Sequence, residues 1–145
     1  MASYNKVYQF VQELAQGYFN LSTSGDTLKI MLTNTLPTST YKTSTDVSEI
    51  SAGNGYSAGG STCQITSSVQ TVGTFILLGP SAGVVYTASG CTIGPFRYPV
   101  LLDISTTNVN KPLISWYDYG SAITLNSGET FTVSFDPSSG ILQLT

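Results

Sequence analysis

The chain has 145 residues, of which 41% are hydrophobic, so it is long enough to fold as one domain, 1–145, that buries its own core. Only 9% of its residues are charged, against roughly 25% in an ordinary globular domain, and it contains no histidine. Both features argue against an enzyme, a metal site and a bound cofactor. Its net charge of −3 and five scattered basic residues argue against nucleic acid as a partner, because phosphate binding depends on clustered Lys and Arg.

One amphipathic helix is predicted near the N-terminus, over residues 4–19. Ser3 is its candidate N-cap, and Gly17 with the turn-forming residues 22–25 would end it. The apolar stripe of this helix could pack on the domain's own sheet or dock on a neighbouring subunit. Its members recur at spacings of three and four: Val7, Phe10, Val11, Leu14 and Tyr18.

A first strand and then a long irregular stretch follow the helix. Apolar side chains alternate with others over 27–34, which predicts a strand with one inward face. Residues 35–62 show no sustained period apart from a possible single turn at 47–50, and loops longer than about 12–15 residues are uncommon in compact domains. We predict an extended loop or arm that either wraps its own domain or reaches across a partner subunit. Its candidate contact residues are Tyr41, Ile50, Asn54 and Tyr56.

Short strands separated by Gly- and Pro-rich turns dominate the rest of the chain. The predicted segments are 64–72, 74–78, 84–88, 96–104, 113–119, 122–125, 130–135 and 141–144. Many short strands with such turns are typical of an antiparallel sandwich or a jelly-roll-like barrel, and not of βαβ units. The predicted fold class is therefore mainly β, an antiparallel β-sandwich or jelly-roll-like barrel with one N-terminal helix and a long irregular arm.

Aromatic side chains form two clusters in this β region. They are Phe96, Arg97 and Tyr98, and Trp116, Tyr117 and Tyr119 beside Asp118. Along a strand Trp116 and Asp118 would face one way and the two tyrosines the other. Such residues build cores, protein–protein contacts and stacking platforms for sugars, and all three roles stay open here. Arg97 is the only arginine, so we expect a dedicated carboxylate partner for it.

The acidic residues and cysteines offer few chemical sites. A catalytic pair or a calcium site would have to draw on acids that lie at predicted strand ends and turns, which are Asp103, Asp118, Glu129 and Asp136. Acids commonly cap such positions, so we predict no catalytic residue. Cys63 and Cys91 are expected to be free thiols, with a disulfide between two strands as the alternative.

The N-terminus and the hydropathy of the chain bear on its location. The first residues contain no continuous apolar run of the kind found in signal peptides. No stretch approaches the roughly 18 apolar residues that a membrane span needs. We therefore expect no membrane partner, and synthesis in the cytoplasm, with a different final location if the protein is built into a particle.

Several segments, taken in chain order, resemble the small virion proteins of tailed bacteriophages and prophages. They are the helical residues 4–15, DTLKIMLTN at 26–34, EISAGNGY at 49–56, IGPFRY at 93–98, KPLISWYDYG at 111–120 and LNSGETF at 125–131. Within that group we favour a capsid cement, or decoration, protein. The resemblance implies a β-rich body that self-associates on the outer capsid surface of the virion, with the major capsid protein as its partner. It implies no catalytic residue and no cofactor.

Three functional expectations follow from the resemblance and the residues. The first is a shell-stabilising cement protein, the second a neck or tail component, and the third a glycan-binding module for host recognition. A trimer is preferred to a dimer, because trimers suit the local three-fold positions of an icosahedral lattice. The candidate interface residues are Val7, Phe10, Val11, Leu14, Tyr41, Ile50, Asn54, Tyr56, Phe96, Arg97, Tyr98, Trp116, Tyr117 and Tyr119.

Overall fold

The computed structural model describes residues 2–105 and 110–145, which form antiparallel sheets and one α-helix. The elements are β1 Ser3–Lys6, α1 Tyr8–Ala15, β2 Leu28–Thr33, β3 Ser61–Cys63, β4 Ser67–Thr71, β5 Thr74–Leu78, β6 Val84–Thr87, β7 Ile93–Phe96, β8 Tyr98–Asp103, β9 Leu113–Asp118, β10 Ile123–Leu125, β11 Thr130–Val133 and β12 Leu142–Leu144. The prediction of a mainly β fold with one helix near the N-terminus is confirmed. Within the described residues the sheets do not close into a barrel, and their antiparallel arrangement is consistent with a β-sandwich-like fold.

The largest sheet has five strands in the order β1-β9-β8-β2-β3. The remaining strands form smaller sheets, which are β10-β7, β11-β6 and β12-β5-β4. Strand β8 lies at the centre of the large sheet and is buried along its whole length, because apolar residues occupy most of its positions. One continuous apolar cluster joins the sheets and the helix. This cluster is the core that holds the surfaces described below.

The N-terminal prediction is wrong in its first part. Residues Ser3–Lys6 form a strand paired with β9, and Tyr4 lies opposite Tyr117 in the register. Ser3 therefore starts a strand and does not cap the helix; Val7, with extended dihedral angles, stands before α1. Pairing with the open edge of β9 satisfies backbone groups that a longer helix would leave there unpaired, and it outweighs the local helical pattern.

The predicted stripe of the helix divides between core and surface. Val7 and Phe10 are buried, and the ring of Phe10 packs edge-to-face on Phe19 at 5.1 Å between centroids. Leu14 packs on the core from a half-buried position. Val11 is exposed because only one face of the helix packs on the core. Tyr18 is exposed because it lies beyond the helix, which ends at Ala15 and is shorter than predicted.

The segment 35–62 lies on its own domain. Backbone N–H groups of Ile50 and Leu113 donate to the carbonyl oxygens of Leu32 and Lys42, at 3.1 and 2.9 Å. A short 3₁₀ turn forms at Ser44–Asp46, earlier than the turn expected at 47–50, because Thr43 and Asp46 make a reciprocal capping box. The last residues of the segment form β3, a strand that the sequence pattern did not predict, and it pairs with β2.

The strand predictions are confirmed in position with adjusted ends. The predicted strand 96–104 corresponds to β8, whereas Phe96 ends β7, a strand that the sequence pattern did not predict. The N–H of Arg97, between the two strands, donates to the carbonyl oxygen of Thr33 on β2. Strand β4 begins at Ser67, three residues later than predicted. The cysteines are both free in the described chain, Cys63 buried and Cys91 exposed, so the alternative of a disulfide is wrong. Burial raises the pKa of the Cys63 thiol to about 12.

Candidate interaction surfaces

An apolar groove of about 730 Å³ opens between the large sheet and the C-terminal strands. We call it the aromatic groove, after the five rings that line it: Tyr4, Tyr117, Tyr119, Phe131 and Phe135. Alternation along β9 directs Tyr117 and Tyr119 to one face of the sheet. The register places Tyr4 beside Tyr117, and the centroids of these two rings lie 5.8 Å apart.

The rings of the groove support one another across the two layers. Tyr119 meets Phe131 at 5.5 Å and Tyr117 meets Phe135 at 6.4 Å, both edge-to-face. Tyr117 is half-buried, and burial raises the pKa of its hydroxyl. Tyr119 keeps 52% of its surface exposed. The groove thus combines a rigid aromatic floor with an exposed rim, the arrangement that binds apolar groups of a partner.

Charge is scarce along this groove. Of the described residues that line it, Asp136 alone carries a charge. Its carboxylate accepts hydrogen bonds from the N–H groups of Ser139 and Ser138, at 2.8 and 2.7 Å, and these hold its pKa below the ordinary value. Asp136 therefore stays ionised at neutral pH as part of a turn, and the rest of the groove is neutral.

The strands around the groove lie at the edges of their sheets. In the described chain β1 ends the five-stranded sheet, β11 pairs only with β6, and β12 ends its three-stranded sheet. Edge strands present backbone N–H and C=O groups that can pair with another chain. The groove accordingly offers hydrogen-bonding backbone beside its aromatic rings.

The expected carboxylate partner of Arg97 is Asp118. Nε of Arg97 donates to Oδ1 at 2.7 Å and Nη2 donates to Oδ2 at 2.9 Å. The guanidinium lies 5.2 Å from the ring centre of Tyr98, which packs edge-to-face on Trp116. The pair holds the pKa of Asp118 below its ordinary value. Because solvent screens both side chains, the pair positions the end of β9 and contributes little to stability.

The other predicted contact residues are placed mainly in structural roles. Phe96 is buried against Phe131, 5.0 Å between ring centres. Tyr56 is buried, and Asn54 donates its side-chain amide to the carbonyl oxygen of Thr92 at 2.9 Å. Tyr41 and Ile50 are half-buried against the core. Of the fourteen predicted residues, the structure brings only Tyr117 and Tyr119 to the aromatic groove.

Sequence reasoning missed the groove residues Tyr4, Phe131 and Phe135. Tyr4 lies within the predicted helix 4–19, so the sequence does not predict that it pairs with β9. Alternation in 130–135 did indicate that Phe131 and Phe135 share a face, but nothing local says which face of another strand they meet.

The acids considered for catalysis all serve local turns or pairs. Asp118 binds Arg97, and Glu129 accepts hydrogen bonds from the backbone and side chain of Asn126. Asp103 accepts from the N–H and hydroxyl of Ser105, at 2.8 and 2.7 Å. Among the described residues no three His, Cys, Asp or Glu side chains come together as metal ligands.

The described chain has no helix that is both long and apolar enough to pass through a membrane. Comparison with protein-family models, with curated proteins and with solved structures gave no match.

Asp26 and Asp46 provide a pair of opposite pH effects. Burial, and then the nearby charge of Asp103, raise the pKa of Asp26, so the folded chain holds that proton more tightly than the unfolded chain. The stability that the protonated Asp26 carboxyl contributes is therefore fully present below the ordinary pKa of 3.8. It is lost as the pH rises through the pKa of Asp26 in the folded chain. We expect Asp26→Asn to be more stable than the wild type at neutral pH, with the difference vanishing in acid.

Asp46 is the matched control for this prediction. Hydrogen bonds from the N–H groups of Thr43 and Lys42 lower its pKa, so its contribution is present above the ordinary value and is lost as pH falls. Asp46→Asn should be less stable than the wild type at neutral pH. Urea midpoints measured across the acid range test both signs, and a common direction for the two variants would contradict the assignment.

Proposed function

We propose that this chain is a non-enzymatic structural protein of a tailed-phage virion, a cement protein that binds the outer capsid surface and stabilises the shell. The resemblance of its segments to such proteins motivates the proposal. One structural observation supports it best: the helix exposes a second apolar stripe on its outer face. A cement protein adds contact area to a preformed lattice, which requires exposed apolar surface and no covalent chemistry.

The outer stripe consists of Tyr8, Val11 and Ala15, at spacings of three and four, and Tyr18, three residues beyond the end of the helix, is a further exposed apolar side chain. All four are exposed, while Phe10 and Leu14 on the inner face pack on the core. The N–H of Tyr8 donates to the carbonyl oxygen of Ser39 at 2.9 Å, which fixes the start of the helix on the body. The stripe is therefore presented on a rigid support, as helix-in-groove docking needs.

The charge pattern suits docking on a crowded shell. Few charged side chains lie on the surface, and Arg97 and Asp118 neutralise each other. Binding through apolar contacts depends little on salt. Modest contacts made by many copies, or by an oligomer, add up to high avidity.

Reconstitution on shells tests the proposal. Shells that lack the protein are mixed with the wild type or with Val11→Glu, and binding is measured by co-sedimentation, followed by heat and osmotic challenge. We expect the wild type to bind and protect the shells, and Val11→Glu to bind about tenfold more weakly, since a charge would have to be desolvated. The matched control is Val85→Glu, because Val85 on β6 is 47% exposed and Val11 is 48% exposed.

Two outcomes decide against the cement proposal. If the wild type neither binds such shells nor changes their resistance, the chain is not a cement protein. If a gold label on intact particles marks one vertex or the tail and not the whole head, the neck or tail alternative replaces it. The glycan alternative rested on Trp116, whose ring packs against Tyr98 in a partly buried position, and this placement favours a supporting role for the ring.

A further inference from the structure

The hairpin between β4 and β5 carries an unusual residue at its tip. Thr71 pairs with Thr74, so Val72 and Gly73 alone form the turn, with φ of 49° and 82°. Positive φ at both positions defines the type I′ turn, for which Asn-Gly is the preferred pair. A β-branched residue disfavours that conformation strongly, because its Cβ substituents crowd the backbone.

Val72 is also the most exposed large apolar side chain of the described residues, at 97%. Its own fold therefore neither buries it nor favours its backbone conformation. A strained, apolar and fully exposed residue is explained if it makes a contact outside its own chain. The hairpin suits such a contact, since residues 67–78 contain no charged side chain that would need to be desolvated.

We propose that the chain self-associates head to tail, with the hairpin tip at Val72 of one copy seated in the aromatic groove of another copy. The groove is apolar, and its volume of about 730 Å³ accommodates a turn of chain as well as a single side chain. Its one charged lining residue, Asp136, faces no like charge on an uncharged hairpin. The edge strands β11 and β12 supply backbone partners to an incoming β-hairpin.

A copy cannot fill its own groove. The groove reaches the β12-β5-β4 sheet at Leu142, which pairs with Leu77, five residues along β5 from Val72. At about 3.4 Å per residue the tip lies roughly 17 Å from that position along the strand. The tip and the groove are thus two different surfaces of one molecule. A contact between two different surfaces closes into a ring or extends into a chain of copies, and a three-membered ring would match the expected trimer.

The protein alone tests this inference, which goes beyond shell binding and needs no shells. Mass in solution is measured by light scattering after size exclusion, over a range of concentrations. We expect the wild type to associate and Val72→Asn to do so about 30-fold more weakly, as for a central contact residue. At protein concentrations too low for association, Val72→Asn should also unfold about 3 °C higher than the wild type, because Asn-Gly suits the turn and association no longer adds to stability. Val72→Ile should retain association, and so should Leu36→Asn, since Leu36 is 55% exposed and lies in neither the hairpin nor the groove.

A groove variant makes the test decisive. Ser134 is exposed in the groove, and Ser134→Arg should block it and give a monomer. Each of Ser134→Arg and Val72→Asn keeps the half of the interface that the other has lost. Their mixture should form a 1:1 complex of two chains that neither variant forms alone.

A monomeric wild type, unchanged association of Val72→Asn, or a mixture that stays monomeric would each overturn the inference. A lower unfolding temperature for Val72→Asn than for the wild type, with both proteins monomeric, would overturn the argument from turn strain. Shell binding of Val11→Glu is measured separately, so failure of self-association and failure of the proposed function give different results.

Discussion

Gly60→Ala is expected to destabilise the domain by about 3 kcal/mol or more, a loss found only for severe steric or core changes. A Cβ at Gly60 would overlap the carbonyl oxygen of Ile30 and lie 2.8 Å from Cα of Met31. Both atoms belong to the backbone of β2, a paired strand inside the large sheet, so neither can shift without breaking ladder hydrogen bonds. The change therefore separates β3 and the end of segment 35–62 from the sheet.

Gly59→Ala is the control for this prediction. Gly59 has φ of 84°, close to the 81° of Gly60, so the two substitutions share the cost of a left-handed residue, about 1–2 kcal/mol. A Cβ at Gly59 meets no atom of the described residues within 4 Å. Urea unfolding followed by the fluorescence of the single tryptophan, Trp116, separates the two variants. Equal losses would show that the close approach of β2 to Gly60 is wrong.

Tyr56→Phe is expected to lower the free energy of unfolding by about 2 kcal/mol, the cost of leaving buried polar groups without partners. The hydroxyl of Tyr56 accepts a hydrogen bond from the N–H of Leu32 at 3.0 Å and donates to Oε1 of Glu49 at 2.6 Å. Burial raises the pKa of this hydroxyl, so it remains a donor at any physiological pH. The substitution leaves the N–H of Leu32 buried and unbonded.

The matched control is Tyr8→Phe, since Tyr8 is exposed on the helix. Its free energy of unfolding should change by less than about 0.5 kcal/mol. Hydrogen exchange supplies a second readout, because the amide of Leu32 should lose protection in Tyr56→Phe and keep it in Tyr8→Phe. An unchanged stability of Tyr56→Phe would mean that segment 35–62 is not held on β2 in solution.

These two predictions concern the same question, whether segment 35–62 belongs to the body of the domain. Tyr56 and Gly60 both join it to β2, and Asn54 joins it to the chain near β7 through Thr92. If both substitutions act as expected, the segment is a structural part of the body. The outer stripe, the hairpin tip and the aromatic groove would then be the surfaces that contact a shell or another copy.

The fold class and many of the elements follow from local patterns in the amino-acid sequence. Strand β2 could be predicted because apolar residues alternate over 27–34, and strand β11 because Phe131 and Val133 alternate with threonines. Scarce charge and the absence of histidine favour contact surfaces over catalytic sites. Each of these properties is read from neighbours a few residues apart, where periodicity determines which side chains share a face.

Which faces and edges meet depends on contacts between distant parts of the chain. The pattern of Ser3–Lys6 is compatible with a helix, but the open edge of β9, more than a hundred residues away, draws it into a strand. The need of Arg97 for a carboxylate was evident, whereas its choice of Asp118 depends on the neighbouring ends of β8 and β9. The aromatic groove joins rings from β1, β9 and the C-terminal strands. Such long-range pairing cannot be predicted from local periodicity, because strands pair through backbone hydrogen bonds that do not depend on the side chains that carry the pattern.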